Sequence, residues 1–433
     1  MLMQNALVGV FLVLFVLLST RYKLQYAEAI RPFYSYGLVV SVMLIVSCLL
    51  RSSDARKILT TMLIQPQTLL FAFLLVYFTA SVTYISLDIP GRQLKDHLYF
   101  LYWILILPLL PICFVSKNKS ISDVFLLLSK SVILFSVFSA VVAFLIFFDV
   151  VDINIGSLHV TQSIYLKSRI HGMLGESTAL AALLGFGLIS LLYLKRDTGR
   201  VQKFLFGFLV FSLVATGSRN GLVSIALVFL VSALIEGLTF KTLLNIIVHL
   251  FTFVLILVGV LYATDTVDLI YKIFSDRPDL DLDNRFSRLY IWLTTIDMIS
   301  NSGPEELLFG HGAYELRREL SAGFNSPLEI AYDYGILMSL IYVGIFFLSF
   351  FVGLKKYNDS KLYIYKYACL NLTYGFTFSM FISYFPTTMF NFAVWPFMIG
   401  VWITAIPARM VKTLPIFDSA NLSKVSGKTL LNN

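Results

Sequence analysis

Arg219 stands in Gly217-Ser218-Arg219-Asn220-Gly221, a turn only a few residues long between two apolar runs. A guanidinium held there stays at the membrane surface, where its planar fork can grip a phosphate or diphosphate through two parallel N–H donors. The plainer role for the same residue is an anchor that snorkels to the interface. A second basic group lies in Arg288-Leu289-Tyr290-Ile291-Trp292, with Arg285 three residues before Arg288. On a helix these spacings put Arg285, Arg288 and Trp292 on one face; the plainer role here is an ion pair with a loop carboxylate. Upstream, Arg169-Ile170-His171-Gly172 and Gly175-Glu176-Ser177-Thr178 bring a cation, an imidazole and a carboxylate to the start of another apolar run. Ser177 or Thr178 also serves as a simple helix cap.

Candidates for moving a proton are fewer. His311 lies between Gly310 and Gly312, and is either a general base or a turn residue. Glu329 follows Ser326 by three, which fits a capping-box partner as well as it fits a base. Aromatic residues around them, Phe286, Tyr290, Trp292, Tyr314 and Phe324, suit either stacking on sugar rings or packing at the bilayer interface. The five histidines are dispersed, so no spacing builds a metal site, and no cofactor is expected. His249 is alone in an apolar run, where a hydrogen-bonded packing role is the common one.

The elements that must position these groups are membrane helices. Apolar residues make up 58% of the chain and charged residues 13%, about half the charged share of a soluble domain; mean hydropathy is +0.83. The formal charge of +8 comes from short basic clusters between apolar runs, which is the pattern of membrane topology and not of nucleic-acid binding. Cys48, Cys113 and Cys369 each sit inside an apolar run, which predicts packing and no disulfide. The first run, Ala6 to Leu18, lacks a positive leader and reads as a retained helix.

Windows long enough to span about 30 Å of hydrocarbon fall near 5–20, 34–50, 67–86, 98–116, 131–148, 178–194, 204–217, 221–238, 245–262, 335–353, 367–384 and 390–408. Twelve helices are expected, in one transmembrane domain over 1–408 with a polar tail over 409–433. Alternate loops hold 19 Lys and Arg, including Arg51, Lys117, Lys195, Lys241, Lys355, Lys356, Lys361, Lys366 and Arg409, against 8 in the short loops of the other set. The bias predicts both termini on the cytoplasmic side. The loop over 149–177, the Arg219 turn and the long loop over 263–334 then lie outside. Two helices are expected in the long loop: one capped by Asp283 or Asn284 and running to about Ile299, and one capped by Ser326 with Pro327 first. The second is expected to continue as the tenth membrane helix.

With these residues in place, the pattern resembles the bacterial O-antigen ligase and O-antigen polymerase superfamily. Arg169 with Gly172 resembles its Arg…Gly segment, Ser218-Arg219-Asn220-Gly221 its Ser-Arg-x-Gly turn, and Arg288 through Trp292 with Gly310-His311-Gly312 its Arg-x-x-x-Trp and Gly-x-Gly. Asn325 through Leu328 to Asp333-Tyr334-Gly335 resembles its His-Asn-x-x-Leu…Glu-x-Gly, with Phe324 where many members, ligases above all, carry the histidine. The resemblance implies an all-α polytopic protein of GT-C-like glycosyltransferase architecture in the bacterial inner membrane. It implies that glycan is transferred from an undecaprenyl diphosphate carrier to a sugar hydroxyl at the periplasmic face, without a metal. Arg219, Arg288, His311 and Glu329 would act in catalysis; Arg169, His171, Glu176, Arg285, Trp292 and Asn325 would bind substrate. Partners would be the lipid-linked oligosaccharide, membrane lipid, and chain-length-regulating and flippase proteins. The Phe324 departure favours a repeat-unit polymerase over a ligase acting on lipid A–core. It leaves the base open among His311, His171, Glu329 and Asp333. A lipid-linked-glycan flippase is the alternative from another class, and the scarcity of charge within the apolar runs speaks against it.

Overall fold

The computed structural model describes residues 50, 52–86, 115, 120–148, 150, 154–155, 158–159, 170, 177–194, 200–237, 287–312, 315–320, 325–380 and 391–411. Expected helices near 5–20 and 245–262, all of 98–116 but residue 115, all but the last residue of 34–50, and the tail beyond 411 lie outside these residues.

The described residues form a helical bundle: α1 (Ser53–Leu63), α2 (Pro66–Ser86), α3 (Ile121–Phe147), α4 (Ser177–Tyr193), α5 (Arg200–Ala215), α6 (Arg219–Ile235), α7 (Arg288–Ser300), α8 (Pro304–Phe309), α9 (Glu315–Leu320), α10 (Ser326–Tyr334), α11 (Ile336–Ser360), α12 (Tyr363–Ser379), α13 (Asn391–Ala405) and α14 (Ala408–Val411). The single departure from an all-helical fold among these residues is a two-residue antiparallel ladder, Asn154–Ile155 with Leu158–His159. Helices α3 and α11 are each long and apolar enough to cross a membrane, and α1 with the start of α2 forms a pair bent by 76° that makes a third candidate. α4, α6 and the Trp395–Ala405 part of α13 are shorter apolar helices.

Helix α12 is the centre. It packs on α13, α11, α6 and α4, and nearly every residue from Ile364 to Ser379 is buried. Apolar solvent leaves no water for a buried hydroxyl, so each must find a partner. Tyr367 meets Ser129 at 3.2 Å and Ser190 at 3.4 Å, and the Tyr374 hydroxyl donates to the carbonyls of Ala181 (3.0 Å) and Ala182 (3.1 Å). Tyr193 stacks on Tyr367 with ring centroids 4.3 Å apart.

Several helix ends depart from the hydropathy windows. α3 starts ten residues before its window, because Ser120 and Asp123 form a capping box there. α11 runs on to Ser360, so Lys355 and Lys356 lie within a helix and not in a loop. Lys366, also expected in a loop, is 1% exposed inside α12 and paired with Glu236. Lys356 Nζ donates to the carbonyls of Thr404 (2.6 Å) and Ile406 (3.0 Å), satisfying the C-terminal end of α13 with a cation. Gln202 reaches Leu191, and Tyr365 reaches Ile406. These contacts gather at one end of the bundle the helix ends that the charge bias assigns to one side.

The opposite end carries α7 to α10. Here the expected continuous helix from Ser326 is two helices: α10 stops at Gly335, with φ 95°, and α11 begins at Ile336. Gly335 packs its Cα directly against the Leu308 carbonyl, leaving no room for a Cβ. The His311 and Gly312 N–H groups donate to the Tyr332 and Asp333 carbonyls, both at 3.0 Å, so the Gly310–Gly312 segment closes the end of α10. Tyr77 of α2 donates to the Leu308 carbonyl and stacks on Phe309, tying this layer to the bundle. Gly335→Ala meets both a left-handed φ and a backbone carbonyl, and is expected to cost more than about 1 kcal/mol. A fall in the melting temperature of the detergent-purified protein measures it, and an unchanged melting curve would contradict the close approach.

Candidate functional site

Two helices in this end begin in the same way. Ser218 caps α6, its side chain accepting from Gly221 N at 3.4 Å, and Arg219 is the first helical residue. Ser287 caps α7, accepting from Tyr290 N at 3.1 Å, and Arg288 is the first helical residue. The α7 cap is Ser287 and not Asp283 or Asn284, because Ser287 already has extended φ and ψ. Trp292, half-buried one turn further on, shares the helical face of Arg288, and Arg285, expected on that face, lies outside the described residues.

The two helix starts meet. Arg288 Nη1 donates to Asn220 Oδ1 at 2.7 Å, across 68 residues of sequence. Asn220 is the second residue of α6 and is 4% exposed; Arg219 and Arg288 are both half-buried. A cation at a helix N-terminus opposes the helix dipole, at a cost of about 0.3–1 kcal/mol. Two such arginines at two helix starts make a place suited to an anion. The second turn of α4 lies alongside: a Cβ on Gly221 would sit 2.9 Å from Ala181 Cβ.

The Arg169–Glu176 segment is reached through one described residue. Ile170 is buried, and its N–H donates to the Ala215 carbonyl at the end of α5, 3.4 Å away. That bond holds Ile170 beside the Thr216–Ser218 turn. Arg169, His171, Glu176 and Arg285 themselves lie outside the described residues.

Asn325, expected to touch substrate, is the N-cap of α10, its Oδ1 accepting from Leu328 N at 3.1 Å. The cap is thus one residue before Ser326, and Glu329 falls one position too late for a capping box. Glu329 is instead fully buried on α10, which packs against α7. Asp333 Oδ1 accepts from Leu316 N at 3.0 Å and so caps α9.

His311 is at the other end of α7 from Arg288. Thirteen helical residues separate the two by about 20 Å along the axis. The imidazole stacks on Tyr332 at 4.1 Å and 7°. Nδ1 lies 3.3 Å from the Tyr332 carbonyl, while Nε2 lies 3.3 Å from Ser302 Oγ and 3.5 Å from Glu306 Oε2. Because a carbonyl only accepts, Nδ1 carries the proton toward Tyr332. The Tyr332 phenol is pushed well above its usual pKa by burial first and by the Glu319 carboxylate second, so it remains a donor, to Glu319 Oε1 at 3.2 Å. These contacts account for His311 structurally, and the structure does not bring it to the arginine pair.

Asn220 is the residue that sequence reasoning missed, standing in the motif only as a spacer. Ser287 was also missed, although Ser287-Arg288 repeats Ser218-Arg219.

The fold and site define a helical membrane protein with two arginine-led helix starts joined at one end of its bundle. Residues 204–352 match the model of the family described as O-antigen ligase, and this stretch supports a place in the O-antigen ligase and polymerase superfamily. It spans Arg219, Asn220, Arg288, His311, Asn325 and Glu329, and begins after the Arg169–Glu176 segment. No curated protein matches the chain.

A variant pair separates structure from chemistry at His311. His311→Phe keeps the ring stack, while His311→Ala loses it and is expected to lose a further 0.5–1.5 kcal/mol or so of stability, read from thermal unfolding in detergent. A Phe variant that is folded yet wholly inactive would make the imidazole a chemical participant.

Proposed function

We propose that the chain is a repeat-unit polymerase. It joins oligosaccharide units by moving a glycan from undecaprenyl diphosphate to a sugar hydroxyl at the periplasmic face of the bacterial inner membrane. The observation that carries this reading is the 2.7 Å bond from Arg288 to Asn220, which sets one arginine-led helix start against the other. The sequence resemblance and the match over residues 204–352 supply the reaction class. The wider frame is twelve membrane helices in one domain over 1–408, with both termini cytoplasmic. The two outer loops lie over 149–177 and 263–334, and the tail over 409–433.

In this reading the acceptor hydroxyl attacks the anomeric carbon, a new glycosidic C–O bond forms, and the C–O bond to the diphosphate breaks. The electron pair leaves with the lipid diphosphate, whose charge Arg219 and Arg288 stabilise electrostatically without requiring a metal. A base takes the hydroxyl proton. Asp333 accepts from the start of α9 and His311 is held at the far end of α7, so His171, Glu176 and buried Glu329 are the other choices for the base. Trp292 shares the Arg288 face and suits a sugar ring, and Arg169, Arg285 and Asn325 are the other substrate contacts of this reading. Chain-length-regulating and flippase proteins would act beside it.

The ligase remains a second reading because the matching family model is described as O-antigen ligase; Phe324, in place of a histidine, speaks for the polymerase. Arg219→Ala and Arg288→Ala are each expected to lower transfer by roughly a hundredfold or more and to abolish long-chain polysaccharide while the protein still inserts. Normal ladders in either variant would sink the proposed site. On a lipopolysaccharide gel, deletion of a polymerase leaves core bearing one repeat unit. Deletion of a ligase leaves bare core and lipid-linked polymer.

A further inference from the structure

We propose that α1 is a seat for an anionic phospholipid of the cytoplasmic leaflet, with Arg56 and Lys57 on its headgroup. The inference does not depend on glycosyl transfer. It stands on the membrane class of the fold and on the charge bias that assigns this end of the bundle to the cytoplasm. Helix α1 meets α2 at an elbow bent by 76°. Pro66 opens α2, where a missing N–H is tolerated, and the Gln65 carbonyl accepts from Thr68 N and Leu69 N, both at 3.0 Å. The 21 residues of α2 reach about 30 Å, enough for the hydrocarbon. α2 therefore crosses the bilayer, and α1, which carries Asp54, Arg56 and Lys57, lies close to its plane. Ser52 Oγ donates to the Val115 carbonyl at 3.0 Å, five residues before the Ser120 cap, so α1 sits at the end of the bundle where α3 begins.

An interfacial helix ordinarily gives its apolar face to the lipid. Here the protein itself takes that face: Ala55, Ile58 and Met62, at i, i+3 and i+7, are buried. The face left over is basic and then apolar. Arg56, Lys57 and Thr60 are exposed, and so are Leu63 and Ile64 at the elbow. Arg56 and Leu63, like Lys57 and Ile64, are seven residues apart, two turns and about 10 Å, so each cation shares a stripe with an apolar residue. On α2, Leu69, Phe73 and Val76 form an exposed apolar stripe that starts in the first turn. A cationic end followed by an apolar run is the profile of one phospholipid, headgroup and acyl chain. The threonines of α1 suit a place with little water. Thr60 Oγ1 donates to the carbonyls of Arg56 (3.0 Å) and Lys57 (3.1 Å), and Thr61 Oγ1 to that of Lys57 (2.7 Å), so the helix satisfies its own hydroxyls. Two cations against one carboxylate, Asp54, select a net negative headgroup over a zwitterionic one.

The test uses the full-length protein in detergent micelles, titrated with phosphatidylglycerol, phosphatidylethanolamine or inorganic phosphate. Native mass spectrometry counts the bound lipid, and elution volume checks folding. The unmodified protein is expected to bind phosphatidylglycerol at least tenfold more tightly than phosphatidylethanolamine. Arg56→Gln and Lys57→Gln are each expected to lower phosphatidylglycerol affinity about fivefold, and the double variant to bring the two lipids close together. Arg56→Lys combined with Lys57→Arg keeps both charges and is expected to bind as the native protein does; a loss there overturns the site. Arg200→Gln combined with Lys203→Gln removes two exposed cations from α5 at the same end and is expected to change nothing. An equal loss in that variant would reduce the effect to overall charge and overturn the site. Equal affinity for the two lipids, or displacement of phosphatidylglycerol by an equal concentration of inorganic phosphate, would overturn it too. Should the double Gln variant elute as aggregate, the two single variants carry the same comparison: a fall in both supports the site, and native affinity in both overturns it.

Discussion

One hydrogen bond joins the two halves of the candidate site. Arg288 belongs to a segment that follows a long polar stretch, Asn220 to a turn between two bundle helices, and their contact at 2.7 Å sets where α7 begins relative to α6. A hydrogen bond with one charged partner contributes about 1.5–3 kcal/mol, a modest figure against the apolar packing of the bundle. Its importance is geometric. While α7 packs on α10, this bond sets its first turn against the Ser218–Gly221 turn.

The arrangement runs against local stability. Both helices place arginine first after a serine cap, where the dipole disfavours a cation, and the Arg288 acceptor is an uncharged amide where a carboxylate would bind more strongly. Sequences that break a local rule twice in the same way, at positions which the fold then brings together, point to a function for those positions. At the other end of the bundle the same chain does the reverse: Lys356 meets the carbonyl end of α13 and Lys366 pairs with Glu236. The contrast between satisfied cations at one end and dipole-opposed cations at the other is an argument for the site that does not depend on any motif.

Much of the bundle was legible because hydropathy reports the lipid-spanning core of a helix. The windows near 178–194 and 204–217 agree with α4 and α5 within a few residues at each end. Helix ends were less legible. α3 begins at a polar capping box and α11 continues through two lysines, and neither signal is apolar. Ser326 followed by Glu329 has the spacing of a capping box, yet Asn325 one residue earlier is an equally good cap and is the one used. The stop at Gly335 was read as the entry to a membrane helix, since the reason for a glycine there is the approach of Leu308, which no local pattern announces. The Asn220–Arg288 bond is a tertiary contact between segments 68 residues apart, and one sequence holds no trace of it.

The layer formed by α8, α9 and α10 explains why so much polar sequence is ordered so far from the arginines. Gly310 to Gly312 lies along the end of α10, Asp333 caps α9, Tyr332 is stacked between its two roles with His311 and Glu319, and Tyr77 fastens the layer to α2. Each of these bonds fixes α10, and α10 is the helix against which α7 rests. A loop that merely covered a site would not need such a frame. One that must hold an arginine within hydrogen-bond distance of a particular amide does, because an error of 1 Å at the end of a long side chain is enough to lose the geometry. The histidine of this layer is therefore part of the support for Arg288, through α10 and α7.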